Sequence, residues 1–275
     1  MVSVRLVLVG GGNMGAALLR GLIERGWAAA GELAVVEVDG ARREELANRF
    51  PGVAVVSTLD GISADGAVLA VKPHDVADAM AALARSGVRR VVSVAAGVTT
   101  AAIEQAAAAV PTAGATPPVA VVRAMPNTPA LVGQGAAAIA PGAHATDADL
   151  DWAEAILAAV GTVVRVPEKQ LDAVTGLSGS GPAYVFLVAE ALIEGGVLMG
   201  LSRAVSRSLV GQLLVGSAAL LAETGDTPEV LRASVTSPGG TTAAGLHALE
   251  SHGVRAAFLD AVQAATLRAQ ELGSG

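Results

Sequence analysis

A chain of 275 residues is long enough to bury a large core and to hold one or two domains. Its net charge of -7 and 2% aromatic content exclude the basic face and stacking platforms that a nucleic-acid partner needs. With no cysteine there is no disulfide framework and no thiolate metal site, a composition that suits the cytoplasm, and no metal is expected. Hydrophobic residues make up 52%, much of it alanine, with Gly and Pro scattered through the apolar segments. The longest uncharged helical run, residues 208–222, is shorter than the ~20 residues a bilayer requires, so a buried helix and no membrane partner are expected. The opening MVSVRLVLVGGG lacks a basic n-region and a cleavage site and runs straight into a strand pattern, so no signal peptide is expected.

Residues 4–9 form a β-branched and leucine run of the kind found in buried parallel strands. Gly10, Gly12 and Gly15 follow in GxGxxG spacing around Asn13 and Met14, and residues 16–25 continue as an apolar-faced helix. In such a turn the first glycine permits the bend, the second admits a pyrophosphate and the third lets helix and strand approach. A second strand at residues 33–38 completes a βαβ unit, so Gly10, Gly12, Asn13, Met14 and Gly15 are expected at a dinucleotide. Glu37 and Asp39 end that strand, followed by Arg42 and Arg43. The acids favour a free ribose 2'-OH and NADH, whereas the arginines suit a 2'-phosphate and NADPH. Alternatively the arginines begin the solvated face of a helix over residues 42–49 with Leu46 and Ala47 inward.

Strand patterns at residues 66–71 and 91–95 end at the carboxyl edge of the sheet, where ligands bind in open α/β folds. Lys72 and Pro73 in the first loop are expected over the cofactor. His74 is either a general acid or, as lone loop histidines usually are, a solvated group. Residues 101–118 read as a helix and a loop, and residues 119–123 as a strand. In the segment RAMPNTPALVGQG, Met125 and Pro126 offer an apolar wall to a nicotinamide, and Asn127 and Thr128 offer polar partners to its carboxamide. The plainer reading is a kinked turn ahead of a strand at residues 135–140. A helix at residues 149–160 and a strand at residues 162–166 close this domain.

Beyond residue 169 only helical patterns remain. In TGLSGSGPAY, residues 175–184, Pro182 suits the first turn of a helix and Ser178 or Ser180 its cap. A carboxylate could sit against such a helix start, or the segment could be an ordinary interdomain turn. The helix pattern at residues 184–199 is apolar nearly all round, interrupted by Glu190 and Glu194, and calls for a partner subunit as cover. Helices at residues 203–222 and 228–234 follow. TSPGGTT at residues 236–242 repeats the hydroxyl, glycine and proline chemistry, and the last helices span residues 243–272. Two such helix starts suggest a shared polar pocket, although capping alone explains each taken singly.

Five motifs together carry a family resemblance: GGGNMG at residues 10–15, AVKP at 70–73, MPNTP at 125–129, SGSGPAY at 178–184 and SPGGTT at 237–242. Nearly end to end, the chain resembles pyrroline-5-carboxylate reductase. The resemblance implies an α/β N-terminal Rossmann-type dinucleotide-binding domain, residues 1–166, and an all-α dimerisation and substrate domain, residues 167–275. It implies a homodimer or ring of dimers in which the helical domains interlock, and NADPH or NADH reduction of a small cyclic imine to L-proline, the last step of proline synthesis. By position, Thr242 resembles the threonine near the imine nitrogen, and Ser178, Gly179, Ser180, Gly181, Gly239, Gly240 and Thr241 resemble the carboxylate cradle. Two departures stand out: Ala233 replaces an aspartate common before TSPGG, and Glu37 with Asp39 is more acidic than an NADP-type strand end. Rival readings are a related imine or β-hydroxyacid reductase, whose catalytic lysine is absent from residues 184–199, and a non-catalytic NAD(P)-binding regulator.

Overall fold

The computed structural model describes residues 2–110 and 117–273. These fall into two compact units, Met1–Ser180 with Ala264–Gly275, and Gly181–Gln263.

The first unit is built on one eight-stranded sheet. In chain order the strands are β1 (Val2–Val9), β2 (Leu33–Val36), β3 (Ala54–Val56), β4 (Ile62–Leu69), β5 (Arg90–Ser93), β6 (Ala120–Met125), β7 (Gly135–Pro141) and β8 (Gly161–Arg165). Their spatial order is β3-β2-β1-β4-β5-β6-β7-β8. All neighbours pair in parallel except β6 and β7, which run antiparallel with Met125 opposite Ala138. Its first six strands follow the 3-2-1-4-5-6 order of dinucleotide-binding sheets, with the reversal between β1 and β4.

Alternation along β1 shows why its second half, residues 6–9, is apolar throughout. Leu6 and Leu8 pack on one side with Leu18, Leu22 and Leu46, whereas Val7 and Val9 pack on the other with Met80, Leu83 and Ile103. Both faces are therefore covered, as a parallel sheet requires. Helices α1 (Asn13–Glu24), α2 (Gly40–Arg49) and α5 (Asp147–Leu157) supply the first cover, and α3 (Val76–Ser86) and α4 (Thr100–Ala108) the second. Strand β3 and helix α3 have no counterpart in the sequence reading, and in α2 Leu46 is buried but Ala47 is exposed, so only one of the two expected inward residues faces the core. The expected loop after α4 falls partly on residues 111–116, outside the described residues.

After β8 the chain turns through a four-residue helix, α6 (Leu171–Val174), into a π-helical turn, Thr175–Gly179, and then α7 (Gly181–Leu198). The second unit comprises α7, α8 (Arg203–Glu223), α9 (Pro228–Ser234), α10 (Thr241–Ser251) and the first part of α11 (Val254–Gly273). Between α7 and α8 the turn rests on Gly200 at φ +96°, and Ser202 caps α8 by accepting the Val205 N–H at 3.3 Å. Arg203 clasps the Glu194 carboxylate at 2.8 and 3.2 Å.

This unit is nearly without a core. No residue of α7 is buried, and in α8 only Ser206 and Val210 are. Phe186, Leu187, Leu198 and Met199 are exposed, as are Leu213 and Leu220. Two helical runs, Glu168–Leu198 and Arg203–Glu223, are long and apolar enough by length and composition to cross a membrane. The expectation of a run too short for that is thus corrected: α8 takes Arg203, Arg207 and Glu223 into one helix of 21 residues. The expected burial is also absent within one chain: α7 and α8 pack on each other, yet their large apolar side chains stay exposed.

Candidate active site

The reversal point of the sheet is where the glycine turn lies. The Gly10 N–H donates to the Val36 carbonyl at 2.8 Å, and the Ala70 N–H to the Val9 carbonyl at 2.8 Å, so the turn is held against β2 and β4. Gly10 has φ +103°, and a Cβ there would stand 2.5 Å from the Ala70 oxygen. A Cβ on Gly15 would collide with the Gly10 carbonyl. Gly12 is the opposite case: nothing lies within 4 Å of its missing Cβ. It is also the N-cap of α1, with no side chain capping it. Two glycines are thus demanded by packing and the third leaves an open cradle at a positive helix end, which fits a pyrophosphate.

A cavity of about 530 Å³ opens above this cradle, lined by Gly10, Gly12, Asn13, Met14, Glu37, Lys72 and Pro73 among others. The structure therefore brings together the expected residues from three separate strand ends. Gly15 lies beneath them, against Gly10. A second cavity, about 750 Å³, shares Val9, Val36, Val38, Val71 and Asp75 with the first and extends past Leu59 to Asp78. His74 stands outside both, with its side chain 78% exposed and Nε2 3.4 Å from Asp75, so the solvated reading of this histidine is the one the geometry favours.

The acids at the end of β2 have separate tasks. Glu37 Oε2 accepts the Gly11 N–H at 2.9 Å and Oε1 accepts the Asp39 N–H at 3.0 Å. Asp39 caps α2 by accepting the Arg42 N–H at 2.7 Å. Arg42 Nε donates to the Gly11 carbonyl at 2.8 Å, and its Nη1 meets Glu45 at 2.6 Å. Arg43 Nη1 donates to the carbonyls of Glu37 and Val38 at 2.9 and 2.8 Å.

Beyond β6, the motif MPNTP turns its Pro126 and Asn127 side chains inward. Met125 and Val174 of α6 pack against the cluster of Ala138, Ala140 and Leu171, Pro126 and Asn127 are buried, and Thr128 is exposed. The Asn127 amide donates to the Ser178 carbonyl at 3.0 Å and accepts the Ala136 N–H at 2.8 Å. Both ends of that amide are thus spent on backbone, a different task from the expected hydrogen bonding to a carboxamide. A Cβ on Gly179 would stand 2.6 Å from Met125 Cε, so the motif SGSG meets MPNTP where this glycine lies against the tip of the methionine side chain.

The segment SGSG is not the simple capped helix start expected from sequence. Pro182 does lie in the first turn of α7, but a π turn precedes it directly, with the Ser180 N–H donating to the Thr175 carbonyl at 2.8 Å. Ser178 caps nothing; its hydroxyl donates backwards to the Val174 carbonyl at 3.2 Å. A π turn widens the helix locally, and such turns recur at functional sites.

Sequence reasoning missed the group that anchors this region. Arg123, 7% exposed, meets Glu168 at 3.2 Å and Asp172 at 3.9 Å. Glu168 also accepts the Thr100 N–H and hydroxyl, both at 2.7 Å. Burial alone would raise the Glu168 pKa, but the Thr100 donors and Arg123 outweigh it and hold the carboxyl below its ordinary range.

In the helical unit TSPGGTT forms the entry to α10. Gly239 has φ +69°, Gly240 is the N-cap, and the Gly240 N–H donates to the Ser237 carbonyl at 3.0 Å. No side chain caps α10, so Thr242 is not its cap; among the described residues its hydroxyl has no hydrogen-bond partner. Thr241 is exposed and Thr242 half-buried.

Comparison with known proteins places these features. Residues 168–272 match the family model for pyrroline-5-carboxylate reductase dimerisation, and residues 5–97 match NADP oxidoreductase coenzyme F420-dependent. The pyrroline-5-carboxylate reductase of Synechocystis sp. is 43% identical over 274 residues, covering 99% of each chain. Among solved structures, a pyrroline-5-carboxylate reductase from Coxiella burnetii is similar with TM-score 0.88 and 35% identity, covering 98% of each chain. That of Plasmodium falciparum pyrroline carboxylate reductase with NADP bound has TM-score 0.82 and 28% identity, covering 99% of each chain.

Proposed function

Given that this chain belongs to the pyrroline-5-carboxylate reductase family, we propose the residues by which it performs that family's reaction. The chain is an NAD(P)H oxidoreductase that reduces 1-pyrroline-5-carboxylate to L-proline, the final step of proline biosynthesis. The observation that carries the reading is the open cradle at Gly12 between two packed glycines, in a chain that aligns with the family from end to end.

The reduced nicotinamide supplies the hydride that adds to the carbon of the ring imine. The protein's share is positioning, and holding two reactants in line is worth up to roughly 7 to 11 kcal/mol. Gly10, Gly12, Asn13, Met14 and Gly15 hold the pyrophosphate, Glu37 the adenosine ribose, and Lys72 with Pro73 the rim of the crevice. Asp39 supports this set by capping α2 beside Glu37. Met125, Pro126 and Thr128 flank the nicotinamide end of the sheet, and Asn127 acts there by positioning backbone. Ser178, Gly179, Ser180 and Gly181 hold the substrate carboxylate, and Gly239, Gly240 and Thr241 do so from the entry to α10. Thr242, whose hydroxyl is left uncommitted, orients the imine nitrogen and its proton directly or through a water.

The domain division proposed is a coenzyme domain over residues 1–166 and a helical domain over residues 167–275. The chain carries the family's dimerisation domain. We extend this to a homodimer or ring of dimers in the cytoplasm, supported by the uncovered apolar faces of α7 and α8 and by the cysteine-free composition.

Thr242→Ala tests the assignment, with Thr241→Ala as control. We expect kcat/KM to fall more than tenfold at Thr242, a loss above ~1.4 kcal/mol of transition-state stabilisation, with little change in Tm. Equal kinetic effects at both threonines, or an effect on Tm alone, would contradict it.

A further inference from the structure

We propose that Glu37 makes this chain select NADH over NADPH, a reading that rests on the coenzyme site assigned above. Four observations converge at the end of β2. First, the Glu37 carboxylate is fixed: one oxygen accepts the Gly11 N–H of the phosphate turn and the other accepts the Asp39 N–H. It cannot turn away from a ribose without giving up both bonds. Second, Asp39 caps α2 and lines neither cavity, whereas Glu37 lines the one over the glycine turn and is placed to receive ribose hydroxyls.

Third, the arginines that could clamp a 2'-phosphate already hold hydrogen bonds at the glycine turn and the end of β2. Arg42 is bound to the Gly11 carbonyl and neutralised by Glu45. Arg43 is folded onto the carbonyls of Glu37 and Val38. Fourth, Glu37 lines the cavity over the glycine turn, while Val36 and Val38 beside it line both cavities. The ribose of a dinucleotide running from one to the other passes this junction. Beyond it the larger cavity presents Asp60 and Asp78 against a single Arg85, and Asp75 lines both cavities. A phosphate monoester carrying about two negative charges would meet a fixed carboxylate at the ribose and an acidic wall behind it. A ribose with a free 2'-OH would instead donate to Glu37.

The test is direct binding of each reduced coenzyme without substrate, by titration calorimetry, on the wild-type chain and on Glu37→Gln and Arg43→Gln. The wild type should bind NADH at least tenfold more tightly than NADPH. Glu37→Gln, which removes the charge and keeps the shape, should close that gap at least tenfold, mainly by tightening NADPH. Arg43→Gln should move both coenzymes alike. Tighter binding of NADPH by the wild type, an unchanged ratio in Glu37→Gln, or a loss confined to NADPH in Arg43→Gln would each overturn the selection while leaving the coenzyme site in place. Failure of a folded wild-type chain to bind either coenzyme would overturn both.

Discussion

The side-chain amide of Asn127 donates to the main-chain carbonyl of Ser178 at 3.0 Å. Asn127 follows β6, and Ser178 lies in the π turn ahead of α7, so one hydrogen bond joins the edge of the sheet to the segment assigned to the substrate carboxylate. Because the same amide accepts the Ala136 N–H, both its donor and acceptor ends are used.

This relationship predicts an asymmetric response to substitution. Asn127→Asp keeps the acceptor for Ala136 but sets a carboxylate against the Ser178 carbonyl, whereas Asn127→Ala loses both bonds. We expect Asn127→Ala to cost about 1 to 3 kcal/mol of stability, the range for leaving buried polar groups unsatisfied. Asn127→Asp should instead raise KM for the imine more than tenfold while Kd for the coenzyme stays within threefold. Steady-state kinetics beside coenzyme titration measure this split. Unchanged KM in Asn127→Asp would show that the bond has no part in positioning the π turn.

The second prediction concerns pH. Glu168 has a folded pKa held below its ordinary value of 4.5. A carboxyl with a depressed folded pKa contributes stability that is complete above the unfolded value and is lost as pH falls through the folded one. Glu168→Gln should therefore lower Tm at neutral pH, by the equivalent of about 1 to 2 kcal/mol given its partial exposure. The difference from wild type should shrink as pH falls below 4.5. Thermal melts of both proteins across that range are the measurement, and a deficit that does not vary with pH would contradict the role given to its charge.

A third prediction follows from the helical unit. Leu187 on α7 is 66% exposed in a helix with no buried residue. Covering a large apolar side chain stabilises by about 1.5 to 3 kcal/mol, so a face of several such residues favours association. Light scattering should give a mass of two chains or a multiple of two, and Leu187→Asp should shift the population toward the monomer. A monomeric wild type at micromolar concentration would refute the association.

Much of this architecture was legible in the sequence because it rests on local rules. The glycine turn is readable from Gly10, Gly12 and Gly15, since φ at Gly10 and packing at Gly15 forbid other residues. Val7 and Leu8 face opposite sides, yet both are apolar, which marks a strand buried on both faces. Helix α3 escaped notice although Val76, Met80 and Leu83 hold helical spacing, because the short 3₁₀ turn at Pro73 blurs its start. The π turn was unreadable for a different reason: Ser178 and Pro182 carry the composition of a capped helix start, and only the Ser180 to Thr175 hydrogen bond reveals the wider turn. Glu168 and Arg123 are 45 residues apart in sequence, and no local pattern pairs them. Nor could Glu37 and Asp39 be told apart until one was seen on Gly11 and the other on the cap of α2.

Turnover of the cyclic imine is the most direct measurement of what this chain does. Purified protein mixed with pyrroline-5-carboxylate and reduced coenzyme should consume the coenzyme, followed by its absorbance, and should yield L-proline in equal amount. No turnover with either NADH or NADPH, in a folded sample that binds them, would contradict the account.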